Sequence, residues 1–274
     1  MDLYYAIATL GGLGIIFGVL LAVAAKIFAV EVDERVEAIQ EALPGANCGA
    51  CGYAGCGSFA EKVVAGECDT TACIPGGKEV AARICELLGV ETVETKPHVA
   101  VVACAGDSEK ARDSFIYAGA KDCRLAHQMW QGFKSCTYGC LGLGTCAEVC
   151  PFEAIVMGDN ELPIVDEEKC TGCGVCRDTC PRGVFRLIPY DYKGHFVFCN
   201  SRDRGKVVKQ ACEVGCNACR ACAKACPQEA ITVEDNLATV DTEKCDNCGE
   251  CAAKCKPGSI RPVTDKKAPV AAES

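Results

Sequence analysis

The sequence predicts an α+β chain built in series: one N-terminal transmembrane helix, a small helical domain, then two tandem copies of a compact cysteine-rich module. Three observations predict it. Leu3 to Ala25 (LYYAIATLGGLGIIFGVLLAVAA) carries no charged residue. Three runs share one form: Cys170-x2-Cys173-x2-Cys176-x3-Cys180-Pro181, Cys216-x2-Cys219-x2-Cys222-x3-Cys226-Pro227 and Cys245-x2-Cys248-x2-Cys251-x3-Cys255. Finally, Cys123, Cys136, Cys140, Cys146 and Cys150 reappear 76 residues later as Cys199, Cys212, Cys216, Cys222 and Cys226. Two copies of one supersecondary unit give such a period.

Three thiolates on one tight loop can wrap one iron–sulfur cube, while the fourth starts the next turn and reaches a second cube. Disulfide frameworks do not repeat C-x2-C-x2-C-x3-C-P, and structural zinc wants two separated pairs. The 26 cysteines among 274 residues therefore imply 4Fe–4S clusters and a reducing compartment. The formal net charge is −9, and each oxidised cluster with four thiolates adds roughly −2. Nucleic acid is not an expected partner for so acidic a chain.

The elements follow in order. Residues 1–30 hold the apolar run. About 20 apolar residues span a bilayer as a helix, and Asp2 with no basic start argues against a signal peptide. Lys26 and Arg35 are the first positive charges, which places the C-terminal side in the cytoplasm. Gly14 and Gly18 form a G-x3-G pair that suits close helix packing. Residues 31–90 form a 4Fe–4S domain. Val32, Val36, Ile39 and Leu43 have helical spacing, Pro44-Gly45 ends that helix, and a glycine-rich loop carries Cys48, Cys51 and Cys56. A short helix through Phe59 and Val63 follows, then Cys68 and Cys73, either of which can complete the quartet; a helix over 78–88 closes at Gly89. Cys85 within it reads as a buried free thiol. Residues 91–122 form a linker and a strand, His98–Ala103, ending at Cys104. Residues 123–190 and 191–262 form two bacterial-ferredoxin-like modules, each with a short hairpin such as Ala230–Val233 and Ala238–Val240 around Asp235-Asn236. Residues 263–274 form a disordered tail.

The crossed rule assigns most thiolates. Cys216, Cys219 and Cys222 join Cys255; Cys245, Cys248 and Cys251 join Cys226; Cys170, Cys173 and Cys176 join Cys150. The remaining loop is irregular, because Leu143 stands where the second copy has Cys219. With Cys136 as the substitute, Cys136, Cys140, Cys146 and Cys180 form one quartet, and Cys104, Cys123, Cys199 and Cys212 are left for a sixth cluster. Alternatively, Cys123, Cys136, Cys199 and Cys212 hold a cluster between modules and Cys104 completes the irregular site. His98, His127 and His195 form no ligand-spaced pair, no G-x-G-x-x-G joins a strand to a helix, and no nucleophile–base constellation is present. The chain carries electrons for chemistry performed elsewhere.

The membrane helix, then Asn47-Cys48-Gly49-Ala50-Cys51-Gly52-Tyr53-Ala54-Gly55-Cys56-Gly57, then Cys73-Ile74-Pro75-Gly76-Gly77, then ferredoxin loops, closely resemble the B subunit of the Rnf complex. The resemblance covers nearly the whole chain. It implies a proximal cluster on Cys48, Cys51, Cys56 and Cys73, with Cys68 outside. It also implies a place in an ion-translocating ferredoxin:NAD oxidoreductase of the bacterial cytoplasmic membrane, with the cluster domains on the cytoplasmic side. Soluble ferredoxin and the other Rnf subunits are then the expected partners. The alternative is a membrane-anchored donor to another reductase without ion pumping. Between Arg177 and Lys209, eight basic residues (Arg177, Arg182, Arg186, Lys193, Arg202, Arg204, Lys206, Lys209) stand against Asp178, Asp191 and Asp203. An acidic acceptor needs such a patch to dock an acidic donor.

Overall fold

In a computed structural model of the chain, residues 2–27, 33–91 and 97–263 are described. Helix α1, Asp2–Ile27, is continuous over 26 residues, and apolar side chains from Tyr4 to Val23 stand exposed along it. Among the described residues, no helix is long and apolar enough to cross a membrane. The helix expected within 1–30 is therefore observed, and a crossing of the membrane is not established by it.

The small domain packs α2 (Glu34–Ala42), α3 (Cys56–Val64) and α4 (Gly77–Leu88) around Val36, Ile39, Phe59, Val63 and Ile84. Residues 31 and 32 of the helix expected here lie outside the described residues. Asp33 starts α2 by accepting the Arg35 N–H at 2.9 Å. Gly89, left-handed at φ 68°, stops α4. Phe59 is 1% exposed, and burying such a ring stabilises the domain by about 1.5–3 kcal/mol.

The rest of the described chain holds four two-stranded antiparallel sheets. Strands β1 (His98–Val102) and β4 (Phe185–Pro189) pair around the hairpin β2 (Ile155–Met157) and β3 (Pro163–Val165). Strands β5 (His195–Val197) and β8 (Ile260–Pro262) pair in the same way around β6 (Ile231–Glu234) and β7 (Leu237–Val240). Asp235 (φ 45°) and Asn236 (φ 60°) make the tight turn expected for that second hairpin.

Two boundaries change. The strand expected over His98–Ala103 is observed as β1, and it packs with the first module, supplying half of its outer sheet, with Val99, Val101, Phe185 and Ile188 in one core. The second module reaches Val263, which is 2% exposed and donates its N–H to Gly194 O at 3.0 Å. Of the tail expected over 263–274, Val263 thus belongs to the module, and 264–274 lie outside the described residues. Helix α5, Cys123–Gln128, sits in the stretch between Cys104 and Cys136. The second copy covers the matching step, Cys199 to Cys212, with no such insert.

Candidate functional site

Each cysteine loop is shaped by two left-handed residues at fixed places. They are Gly142 and Gly144, Gly172 and Gly174, Ala218 and Arg220, and Asn247 and Gly249. Left-handed residues at such intervals build the backbone nests that receive anionic groups. Each fourth cysteine heads a common turn. The N–H of Glu153, Gly183, Glu229 and Gly258 donates to the carbonyl of Cys150, Cys180, Cys226 and Cys255 at 3.3, 3.0, 3.4 and 3.0 Å, and all four donors have positive φ.

The regular quartets assemble by the crossed pattern. Cys216, Cys219, Cys222 and Cys255 line one cavity. Burial, then Cys245 and Cys226, push Cys251 up to about 11. Burial, then Cys170 and Cys173, push Cys176 up to about 12, and Cys150 adds to the rise at Cys173. In the small domain, burial and then Cys56, Cys51 and Cys48 raise Cys73. Asn47 accepts the Cys56 N–H at 2.9 Å, and a Cβ on Gly55 would lie 2.8 Å from that same Asn47 oxygen. Cys68 stands apart beside Tyr53, with its Sγ 3.6 Å from Asp69 O. Cys85 is buried against Thr70.

The irregular part is grouped in a way neither sequence reading gave. Cys123, Cys140, Cys146 and Cys180 line one cavity, while Cys104, Cys136, Cys199 and Cys212 line the next, which Cys140 borders as well. Cys123 and Cys136 thus exchange places relative to the first grouping. The reason is topological. Cys104 follows β1 as Cys199 follows β5, and the Cys140 N–H donates to Cys104 Sγ at 3.4 Å as the Cys216 N–H donates to Cys199 Sγ at 3.3 Å. The structural copy of Cys199 is Cys104. Cys123 matches it in sequence only because Cys123 and Cys136 are, like Cys199 and Cys212, thirteen residues apart. Cys123 instead fills the place Leu143 leaves without a thiolate. Asp122 caps α5, and the Cys123 N–H donates to the buried Thr145 hydroxyl at 2.7 Å. Sequence reasoning missed Thr145; its signal was that the second copy, which needs no such tether, has Ala221 there.

The six quartets stand in single file. Cys48 is near enough to Cys173 for its charge to add to the rise there, and Cys146 acts likewise on Cys176. The Cys140–Cys104 and Cys216–Cys199 hydrogen bonds make the next two links, and Cys222 neighbours Cys251.

The donor set fits iron–sulfur cubes: four thiolates at a time, in nests that offer N–H groups. Among the described residues, no three His, Cys, Asp or Glu side chains converge tightly enough to hold one metal ion. A cube instead takes one thiolate at each of four irons. Burial pushes Cys104 up to about 11, Cys146 and Cys199 up to about 12, and Cys140 well above its usual range. These thiols are protonated in the metal-free chain, so loading releases protons.

The basic stretch is largely taken apart. Arg177 pairs with Asp178, Lys193 with Glu167 and Arg202 with Asp235. Arg182 is buried, and Arg186 bonds Asn200 and backbone carbonyls. Arg204, Lys206 and Lys209, on and beside α6 (Gly205–Ala211), remain exposed, as do Cys219 and Arg220. Helix α6 packs on the loop of Cys219: a Cβ on Gly205 would lie 2.6 Å from Asn217 O.

Three family profiles match: an Fe-S cluster family over residues 43–75, a 4Fe-4S binding domain over 163–186, and a 4Fe-4S dicluster domain over 215–262. The chain is 47% identical, over 91% of its length and 74% of the relative's, to the B subunit of the Na(+)-translocating ferredoxin:NAD(+) oxidoreductase complex of Acetobacterium woodii. It is 43% identical, over 93% and 96%, to the B subunit of the ion-translocating oxidoreductase complex of Methanosarcina acetivorans. It is 46% identical, over 92% and 89%, to the B subunit of the proton-translocating ferredoxin:NAD(+) oxidoreductase complex of Clostridium ljungdahlii. With iron–sulfur domains placed on its cysteine loops and such likeness over nine-tenths of its length, the chain belongs to the family of B subunits of the ion-translocating (Rnf) oxidoreductase complexes.

Proposed function

We propose that this chain is the electron conduit of its complex: it holds six 4Fe–4S clusters, takes electrons from reduced soluble ferredoxin at the second module, and hands them to membrane partners at the N-terminal end. The single-file order of six thiolate quartets carries the reading. A bound 4Fe–4S cluster supplies one-electron storage with no bond to make or break. The thiolates of each quartet hold the group, the left-handed loop residues shape the nest around it, and the apolar cores of the two modules keep water from the inner sites.

The second module is the uptake end in this reading. Cys219 and Cys248 are the exposed cysteines; Arg220 follows the first of them, and Arg204, Lys206 and Lys209 are exposed on and beside the helix whose Gly205 packs on that loop. An acidic ferredoxin is steered to such a surface. At the other end, Leu3 to Ala25 carries no charge, and α1 exposes its apolar side chains. This supports a single-pass anchor in the cytoplasmic membrane, with the cluster domains on the cytoplasmic side.

Anaerobic iron and sulfide analysis of the purified chain tests the proposal. Six cubes give about 24 irons per chain. About 20 irons would remove one site, and about four irons with zinc present would overturn the reading.

A further inference from the structure

Among the described residues, the buried charged side chains include two cations, Lys134 and Arg182. They are in opposite circumstances. Lys134 lies 3.1 Å from Asp113 and 3.7 Å from Glu161, so its charge is answered by carboxylates. Arg182, 6% exposed, has no carboxylate partner among the described residues. Its guanidinium donates to Cys136 O at 3.1 Å and to Gln131 O, and its buried Nε–H has no hydrogen-bond partner. The seat is built for it. Gly132 is left-handed at φ 84°, and a Cβ there would come within 2.8 Å of the Arg182 Nη2.

A permanently charged group left unpaired in a buried place is costly unless something negative faces it. What faces Arg182 is cysteine sulfur, Cys136 and Cys104 of one quartet and Cys180 and Cys140 of the next, and these become thiolates when they hold a cluster. The charge thus stands between two neighbouring sites: Arg182 lines the cavity of Cys123, Cys140, Cys146 and Cys180, and it donates to the backbone carbonyl of Cys136 of the other quartet. The same place in the other three fourth-cysteine turns holds Phe152, Gln228 and Pro257, none of them charged.

We infer that Arg182 sets the potential of two neighbouring clusters, raising both above the sites on either side, so that electrons gather where the two modules meet. This rests on the reading that the Cys123/Cys140/Cys146/Cys180 and Cys104/Cys136/Cys199/Cys212 quartets hold clusters. Each cluster takes up one electron from a reduced neighbour and gains one negative charge. A fixed cation favours that reduced form, and a water-poor surrounding leaves the attraction unscreened. Arginine does not release its proton, so the uptake is of the electron alone.

The test is a redox titration, read by electron paramagnetic resonance, of the whole anaerobically purified protein and its R182Q and R182K variants, with iron counted in each. In R182Q, two of the midpoints fall far enough that the reduced-to-oxidised ratio at the wild-type midpoint drops at least tenfold, 59 mV for a one-electron couple. The other midpoints stay in place, and R182K keeps all of them. Unchanged midpoints in an R182Q protein with full iron overturn the inference. So does an R182K protein whose two midpoints fall as far as those of R182Q. If R182Q is short of iron, R182K decides by the same criterion: midpoints kept support the role of the charge, midpoints lost overturn it. Wild-type protein lacking iron at these two quartets would instead overturn the underlying assignment, and the iron count separates the two failures.

Discussion

The first cysteine loops of the two modules solve one problem in two ways. In the second module, Cys216, Cys219 and Cys222 all come from one loop, and Cys219 is exposed. In the first, Leu143 interrupts the run, and the third thiolate arrives on α5 from a separate stretch of chain. The insert that brings Cys123 also helps cover the site: Phe133 and Leu141 are buried beside it with Ala126, and Cys140 and Cys146 are among the thiols burial raises furthest. The place of a ligand in space is kept while its place in the sequence moves, and the move turns an accessible site into an interior one.

The sharpest way to break this comparison is to move the ligand back. Cys123→Ser should lose one cluster, about four irons, as should Cys219→Ser in the second module. Adding Leu143→Cys to Cys123→Ser should restore the irons and the lost resonance signal. If Cys136→Ser rather than Cys123→Ser empties the Cys140/Cys146/Cys180 site, the difference between the modules is not the one described.

A second measurement concerns the tether. Thr145→Val leaves the half-buried Cys123 N–H without its acceptor, which costs about 1 kcal/mol and should lower the unfolding temperature of the loaded protein. Ala221→Thr at the corresponding place in the second module should change stability by less than about 0.5 kcal/mol. Equal effects at the two places would remove the special status of α5.

Exposure is the third contrast. Changing Arg204, Lys206 and Lys209 together to Gln should slow reduction by ferredoxin about tenfold at low salt and much less at high salt, where such charges are screened. Reduction by a small uncharged reagent should be unaltered in stopped-flow traces. Unaltered ferredoxin kinetics would move docking to another face.

The smallest effect lies in the nests. Ala218 sits at φ 56° where the first module has Gly142 at φ 77°. Ala218→Gly should stabilise the chain by about 0.5–1 kcal/mol. Gly142→Ala should destabilise it by more, since its Cβ would also meet Glu161 O at 2.9 Å. Denaturant midpoints of the two variants moving in the same direction would count against equivalent nests.

Much of this was written in the spacing. The regular quartets could be read because three thiolates on one loop and a fourth after it leave few alternatives. So could the hairpin around Asp235-Asn236 and the stop at Gly89. The irregular quartets were not legible. Two thirteen-residue intervals coincide, and only the β1–β4 and β5–β8 pairings reveal that Cys104, not Cys123, is the copy of Cys199. The basic stretch misled for a related reason. A count of charges along the chain does not show that Arg182 and Arg186 point inward or that Arg202 is answered by Asp235, 33 residues away.

The shared quartet has a consequence for how the protein is made. Cys104 and Cys136 are supplied by one half of the chain, Cys199 and Cys212 by the other, so neither half alone can complete that site. During synthesis the sites become complete in nearly the order in which they stand in file: Cys73 closes the first, then Cys176, Cys180, Cys212, Cys251 and Cys255. In the proposed direction of flow, the ribosome thus delivers the exit end first and the uptake end last. A chain halted between Cys180 and Cys212 has every cysteine of the first three sites and, in the proposed direction of flow, no finished connection to an outside donor. In that reading it is an unfinished wire that cannot draw electrons into an incomplete assembly.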